Sequence, residues 1–242
     1  MSSRLKNMDL ATLREEVCRA NLELVRHGLV TLTWGNVSGI DRRRNLVVIK
    51  PSGVAYDRLK PEQMVVVDLE GNTVEGDLAP STDTPSHVLL YRHFEGIGGV
   101  THTHSHHATM FAQARAEIPC FGTTHADHFF GPVPVTRPLT EEEVKAAYEA
   151  NTAEVIVERF AGINPMEMPA VLVAGHAPFA WGRDAADSVK NAVALEAVAE
   201  MALGTLTIRA QAEPLESYML DKHYQRKHGP NAYYGQKARG EK

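Results

Sequence analysis

Between Ile97 and Ala114 the chain changes period within a few residues, and that change restricts the folds open to it. "IGGVTHTH" alternates as a strand does, and "SHHATMFAQA" then opens a helix at Ser105. The same alternation recurs along the chain. "DLATLREEVCRANLELVRHG" sets Leu10, Leu13, Val17, Ala20 and Leu24 on one helical stripe, with Asp9 as N-cap and Gly28 as terminator. "LVTLT", "NLVVIK" and "MVVVDLEGNTVEG" read as strands, the last turning at Glu70-Gly71-Asn72. "TPSHVLLYRHFEG" restarts a helix, with Thr84 as cap and Pro85 at its first position. "PAVLVAGH" reads as a buried strand, and "DAADSVKNAVALEAVAEMALG" as a long helix with an apolar line through Val189, Ala192, Leu195, Val198 and Ala202. Helices and strands alternate, with several short strands early, which predicts an α/β layered domain without a linker.

Composition then excludes several functions. The 242 residues suffice for a sizeable core, and a hydrophobic share of 43% with 23% charged residues is ordinary for a globular protein. The net charge is −5, and no long basic run precedes the C-terminal end, so the footprint of a nucleic-acid binder is missing. "MSSRLKNMDLATLREE" lacks the apolar centre of a signal peptide, and no stretch approaches the roughly 20 apolar residues of a membrane span. A cytoplasmic protein with neither a membrane nor a nucleic-acid partner is expected. Cys18 and Cys120 make no disulfide framework and no thiolate metal box. Neither G-x-G-x-x-G nor G-x-x-x-x-G-K-[ST] occurs, which removes the main support for dinucleotide and P-loop readings. Any bound metal must therefore be held by histidine and carboxylate.

Four histidines fall between residues 102 and 107. On a strand His102 and His104 point to the same face, with Cα atoms about 6–7 Å apart, and both rings can reach one ion. Zn–N bonds of about 2.0–2.1 Å suit that spacing. His106 and His107 fall in a first helical turn, where the dipole disfavours a cation, so neutral solvent-facing or packing roles are expected. One H-x-H pair is equally compatible with polar decoration of an exposed edge. His176 closes a buried strand, at the end where α/β folds carry their sites, although alone it reads as a polar residue closing a turn. Asp83 stands just ahead of a helix, where a carboxylate also favours the helix N-terminus. Together they offer three neutral nitrogens and one anionic oxygen, a donor set suited to Zn²⁺.

"LTWGNVS", "VIKPSGV", "PSTDTPSH", "THTHSHHA", "TTHADHF", "HAPFAWG" and "LDKHYQRKHGPNAYYGQ" resemble the zinc-dependent class II aldolase/epimerase family, from about Leu13 to Gln236. "THAD" and the tail are most similar to its L-ribulose-5-phosphate 4-epimerase branch. The resemblance implies a single class II aldolase-like domain over residues 1–242, an α/β layered fold whose central sheet is mainly antiparallel and flanked by helices. It implies Zn²⁺, one per subunit, on His102, His104 and His176, with Asp83 completing or adjoining the shell; Mn²⁺ and Co²⁺ stay open as alternatives. It makes Asn36, Lys50, Ser52, Gly53, Ser81 and Thr82 the cradle of a substrate phosphate. Asp127 and Tyr234 become the acid/base pair, with Thr123, Glu149, His223 and Arg226 in support. It further implies a homotetramer, in which the tail from residue 215 to 242 reaches a neighbour's site. The chain departs from the family pattern at Thr82, where serine is common, and at Gly175. The Arg-Arg-Arg at 42–44 and the residues after Gln236 have no assigned role.

The implied reaction agrees with these residue types. A hydrogen at C4 of a 2-ketose is not adjacent to the carbonyl, so inversion by simple deprotonation is uphill. Cleaving C3–C4 by a retro-aldol step avoids that, given a Lewis acid for the enediolate, a phosphate anchor and one proton shuttle per face of the aldehyde. Lys50, Ser52 and the Gly53 amide suit the anchor, though Pro-Ser-Gly is also a routine turn and "GNVS" reads equally as one. Asp127 suits a shuttle if desolvation raises its pKa, and otherwise reads as a loop cap. The cations around Tyr234 would favour a tyrosinate, or merely form a solvated basic tail. The expected activity interconverts L-ribulose 5-phosphate and D-xylulose 5-phosphate in pentose or arabinose catabolism. The alternatives are a class II aldolase acting on a deoxyhexulose 1-phosphate and a non-catalytic protein-binding module of the same fold. A zinc hydrolase lacks its H-E-x-x-H helix here.

Overall fold

A computed structural model describes residues 9–234. The predicted stripe of the first helix is buried: Leu13, Val17, Ala20 and Leu24 line the inner side of α1 (Leu10–Arg26). Hiding one such leucine or valine contributes about 1.5–3 kcal/mol, so the stripe fixes which way α1 faces.

α1 packs on a seven-stranded sheet ordered β4-β3-β2-β1-β5-β7-β6. The strands are β1 (Asn36–Asp41), β2 (Leu46–Ile49), β3 (Val65–Asp68), β4 (Thr73–Glu75), β5 (Gly99–His102), β6 (Ala170–Leu172) and β7 (Pro178–Gly182). Every neighbouring pair is antiparallel. The helices that follow α1 are α2 (Thr84–His93), α3 (His106–Ala114), α4 (Thr123–Ala126), α5 (Glu141–Arg159), α6 (Ala185–Ile208) and α7 (Ser217–His228).

Two strands differ from the sequence reading. "LVTLT" forms no strand; it turns, with the Trp34 amide donating to Thr31 O at 3.0 Å, and pairing begins only at Asn36. The segment that reads as a turn, "GNVS", instead enters the sheet between β2 and β5. β7 is the second: Pro178 opens it, because a proline lacking its donor is tolerated at a strand's first residue.

Helices cover both faces, and side-chain contacts tell which face is which. Ser38 Oγ lies 2.7 Å from His87 Nδ1 and 2.8 Å from Tyr91 Oη, so it points to α2. Thr101 Oγ1 lies 2.7 Å from Ser188 Oγ, so it points to α6. Since a strand alternates, His102 and Asn36 both belong to the α2 face. They are also register partners across β1 and β5.

α6 carries its predicted line buried, Val189, Ala192, Leu195, Val198 and Ala202, against β5, β7, α1 and α3. It has 24 residues and contains an 18-residue window of mean hydropathy 1.3, which meets the length and composition of a membrane span and which the sequence reading did not anticipate. Its Glu196 accepts from the amides of His107 and Ala108 at 2.8 and 3.0 Å, capping α3, and lies 2.8 Å from His107 Nδ1. His107 is thus hydrogen-bonded to Glu196 and not a free surface group, while His106 is exposed. Arg42 also gains a role: its guanidinium donates to the carbonyls of Tyr91, Phe94 and Ile97 at 2.7–2.9 Å, closing the end of α2.

Candidate active site

His102 ends β5, and its ring stacks on Phe179 from the paired position of β7, with centroids 4.2 Å apart and planes at 19°. Its Nδ1 donates to Pro178 O at 3.0 Å, which leaves Nε2 free. His104 follows two residues on, outside the strand, with its ring 5.0 Å from that of His102. His176 is not at a strand end, because β6 stops at Leu172. It sits in the turn between β6 and β7, where its amide donates to Val173 O at 2.9 Å and Val173 N donates to Ala177 O at 3.0 Å. Gly175 has φ +75, a left-handed conformation that glycine adopts at little cost, and its amide ties the turn to Ala112 O of α3 at 2.8 Å. The sheet here is antiparallel, so the rule for parallel strand ends does not place His176. A hairpin set beside β5 does. The donor atoms of His102, His104 and His176 lie within 4.8 Å of one another.

Burial lowers the pKa of all three rings. His104 and His176 fall to about 4, with His102 adding to the effect, so the group is neutral at pH 7. Asp83, and not Thr84, takes the N-cap position of α2, as a carboxylate at the helix N-terminus would, but it makes no capping bond. Asn36 Nδ2 donates to it at 2.6 Å instead. Burial works to raise this carboxyl, yet His102, His87 and the Asn36 amide hold it below the usual range. It shares the cavity of the histidines but stands outside their 4.8 Å group. Three neutral nitrogens with a nearby carboxylate and no thiolate fit a divalent cation of the zinc type.

A cavity of about 600 Å³ joins this group to Asn36, Lys50, Ser52, Gly53, Ser81, Thr82 and Glu149. Every residue expected of the phosphate cradle is therefore in one place. Lys50 is 2% exposed, its Nζ 4.9 Å from the centre of the Tyr56 ring and 3.4 Å from Pro51 O. No carboxylate pairs with it among the described residues, and burial lowers its pKa. Asn36 Oδ1 is likewise buried without a partner. Gly35 makes the entry of Asn36 feasible: at φ +78, a Cβ there would stand 2.8 Å from His102 O.

The sequence reading missed Tyr148, which lines the same cavity with its hydroxyl 2.7 Å from His176 Nδ1. Its neighbour Glu149 was the available signal. Ala147, at φ −166 and ψ 80, breaks α5 immediately before them.

The other expected residues gather elsewhere. Asp127 closes α4, and its amide donates to Thr123 O at 2.9 Å. Its carboxylate accepts two bonds from Arg226, at 3.0 and 2.6 Å, faces His223 Nδ1 at 3.1 Å and pairs with Lys227 at 3.5 Å. Burial works to raise its pKa, but Arg226, His223 and Lys227 carry it below the carboxylate norm, reversing the expected direction. These three partners belong to α7, so the tail through Tyr234 is a docked helix and its end, not a solvated basic tail. Gln236 and the rest to Lys242 lie outside the described residues. Tyr234 is 59% exposed, with Arg226 and Lys227 over its ring at 4.9 and 4.6 Å. Neither it nor Asp127, Thr123, His223 or Arg226 lines the histidine cavity. A further cavity of about 580 Å³ between α1 and α6 sets Ala20, Val189, Val193 and Ala194 beside Glu16, Glu23, His27, His128 and Asp184, which form no convergent three-donor group among the described residues.

The family model named Class II Aldolase and Adducin N-terminal domain matches residues 15–203, well over half of the chain. The chain belongs to this family. Its structure is similar to an L-fuculose 1-phosphate aldolase, with TM-score 0.75 and 24% identity over 93% of this chain and 97% of that one. It also resembles YgbL from Klebsiella pneumoniae, whose description spans aldolase, epimerase and decarboxylase, at TM-score 0.70 and 25% identity over 89% and 99%. A third likeness is to L-fuculose-1-phosphate aldolase from Thermus thermophilus, at TM-score 0.65 and 24% identity over 84% and 98%. The class II aldolase match takes in the histidine cavity and Asp127 but stops before α7.

Proposed function

We propose that the chain is a zinc-dependent L-ribulose-5-phosphate 4-epimerase, interconverting L-ribulose 5-phosphate and D-xylulose 5-phosphate. The observation that carries this reading is one cavity holding three neutral imidazoles together with a buried lysine that no carboxylate pairs among the described residues. His102, His104 and His176 would hold the metal, with Asp83 adjoining. Bound there, a divalent cation supplies Lewis-acid stabilisation to the oxyanion that develops as C3–C4 breaks. Lys50 answers the phosphate charge, while Ser52, Gly53, Ser81, Thr82 and Asn36 offer hydroxyls, an amide and a carboxamide to its oxygens. Glu149 lines the same cavity and takes a supporting role.

Proton movement at the C4 oxygen falls to Asp127 and Tyr234, one on each face of the aldehyde. In this reading the 242 residues form one domain, copies assemble as a homotetramer, and the segment from residue 215 onward carries Tyr234, His223 and Arg226 to a neighbouring cavity with Asp127 and Thr123. The separation of these residues from their own chain's cavity supports that arrangement. The setting is cytoplasmic sugar-phosphate catabolism.

A second reading is an aldolase acting on a deoxyhexulose 1-phosphate, favoured by the likeness to two L-fuculose 1-phosphate aldolases. Incubating the protein with L-ribulose 5-phosphate, with and without a chelator, tests the first; L-fuculose 1-phosphate in parallel tests the second. Chelator-sensitive formation of D-xylulose 5-phosphate is expected. Release of dihydroxyacetone phosphate from the fuculose ester, with no xylulose epimer formed, would transfer the assignment to the aldolase.

A further inference from the structure

We propose that Tyr148 is a positioning residue for His176, fixing its tautomer and ring plane so that Nε2 is the atom offered to a metal. This inference rests on the metal-centre reading above, and goes beyond it by naming what holds the third ring.

His176 is supported differently from His102. His102 is held on both sides, by Phe179 against its ring and by Pro178 O on its Nδ1. His176 stands in the short turn between β6 and β7 beside a left-handed glycine, where backbone alone does not orient a side chain. Tyr148 supplies the same two supports from another element. Its ring lies nearly parallel to the imidazole, at 5.8 Å and 16°, and its hydroxyl is 2.7 Å from Nδ1.

The direction of that hydrogen bond follows from the chemistry. A neutral imidazole has one N–H, and a ring that ligates through Nε2 carries it on Nδ1. The Tyr148 oxygen then accepts. Were the phenol to donate, the proton would sit on Nε2 and bar the metal. Partners of this kind hold ligand rings in register, and removing one weakens metal binding by about 10- to 100-fold.

The break in α5 makes the contact feasible. Ala147 leaves the helical path, and local bonds satisfy the groups this frees: Asn151 Nδ2 donates to Glu143 O at 2.8 Å, Thr152 Oγ1 donates to Tyr148 O at 2.9 Å, and Ser86 Oγ donates to Glu149 O. Tyr148 is therefore fixed from α2 and from its own helix, independently of the turn it steadies.

Tyr148→Phe keeps the ring and its stacking while deleting the hydroxyl. Full-length wild type and variant, stripped of metal, are titrated with Co²⁺ and followed by visible absorption. The variant is expected to bind about 10- to 100-fold more weakly with an altered ligand-field band, while its metal-free melting temperature stays that of wild type. Nitrogen NMR of the metal-free proteins should show His176 as the Nδ1–H tautomer in wild type and as a mixture in the variant. Equal Co²⁺ affinity and an identical spectrum would overturn the role of Tyr148 alone. A wild type that takes up no Co²⁺ would remove the metal centre and this inference together.

Discussion

The histidine cavity and the Asp127 cluster differ in how far each is satisfied within one chain. In the cavity, among the described residues, a buried cation has no carboxylate partner, an amide oxygen has no donor, and three rings bring their donor nitrogens within 4.8 Å of one another. The second region is closed on itself: one carboxylate takes two guanidinium bonds, an imidazole and an ammonium. The first is built on paired strands and short turns, which hold their shape without a ligand. The second hangs from a four-residue helix and α7. Open valences on a rigid frame mark a place prepared for a guest. A neutralised cluster on a surface element has to exchange partners before it can act on anything.

Breaking the first region should have the largest effect. His104→Asn is expected to reduce bound zinc to roughly a tenth of an equivalent or less and to abolish epimerisation; elemental analysis with the coupled assay checks it. An active variant free of metal would refute the donor set. Asp127→Asn is expected next, with kcat down about 10²- to 10⁴-fold and zinc content unchanged. If it turns over normally, the second region has no chemical role. Lys50→Met should raise KM for the phosphorylated substrate roughly 10- to 100-fold, the range of a lost charged hydrogen bond. Gly35→Ala, forced to φ +78 against His102 O, should cost about 1–3 kcal/mol in urea unfolding and weaken Co²⁺ binding alongside. The smallest effect concerns pH. His104 and His176 titrate near 4 in the fold against 6.5 when free, so the unfolded chain binds more protons as pH falls. Metal-free stability is therefore full above about pH 6.5 and declines toward pH 4, and Co²⁺ should delay the decline; thermal melts across that range would reveal it.

What can be read from the sequence tracks the range of the interaction. α1 is evident because one face is apolar and the other is not, and α6 because apolar residues run along most of its length. His102 and His104 are evident because residues two apart in an extended segment share a face, even though β5 itself ends at His102. β1 is not, since "NVSGID" lacks β-branched alternation and is buried on both sides by neighbours that arrive from far along the chain. β7 hides behind a proline that reads as a turn. Asp83 and His176 become neighbours of His102 only through α2 and the β6–β7 hairpin, so their convergence came from resemblance and not from spacing. Tyr148 is the least visible, because the break that presents it falls at an alanine with no glycine or proline to announce it. The pKa of Asp127 followed the opposite course from expectation for the same reason: its three cations lie about a hundred positions away.

The pairing of β5 with β7 carries a kinetic consequence. His102 meets Phe179 across the sheet, 77 positions later, and closing so long a loop is slow. The third imidazole therefore arrives late, when most of the polypeptide has already condensed, and an ion present during refolding finds only a bidentate site until then. Metal should leave the refolding rate nearly untouched and slow the unfolding rate instead, so its contribution would appear as lifetime of the native state.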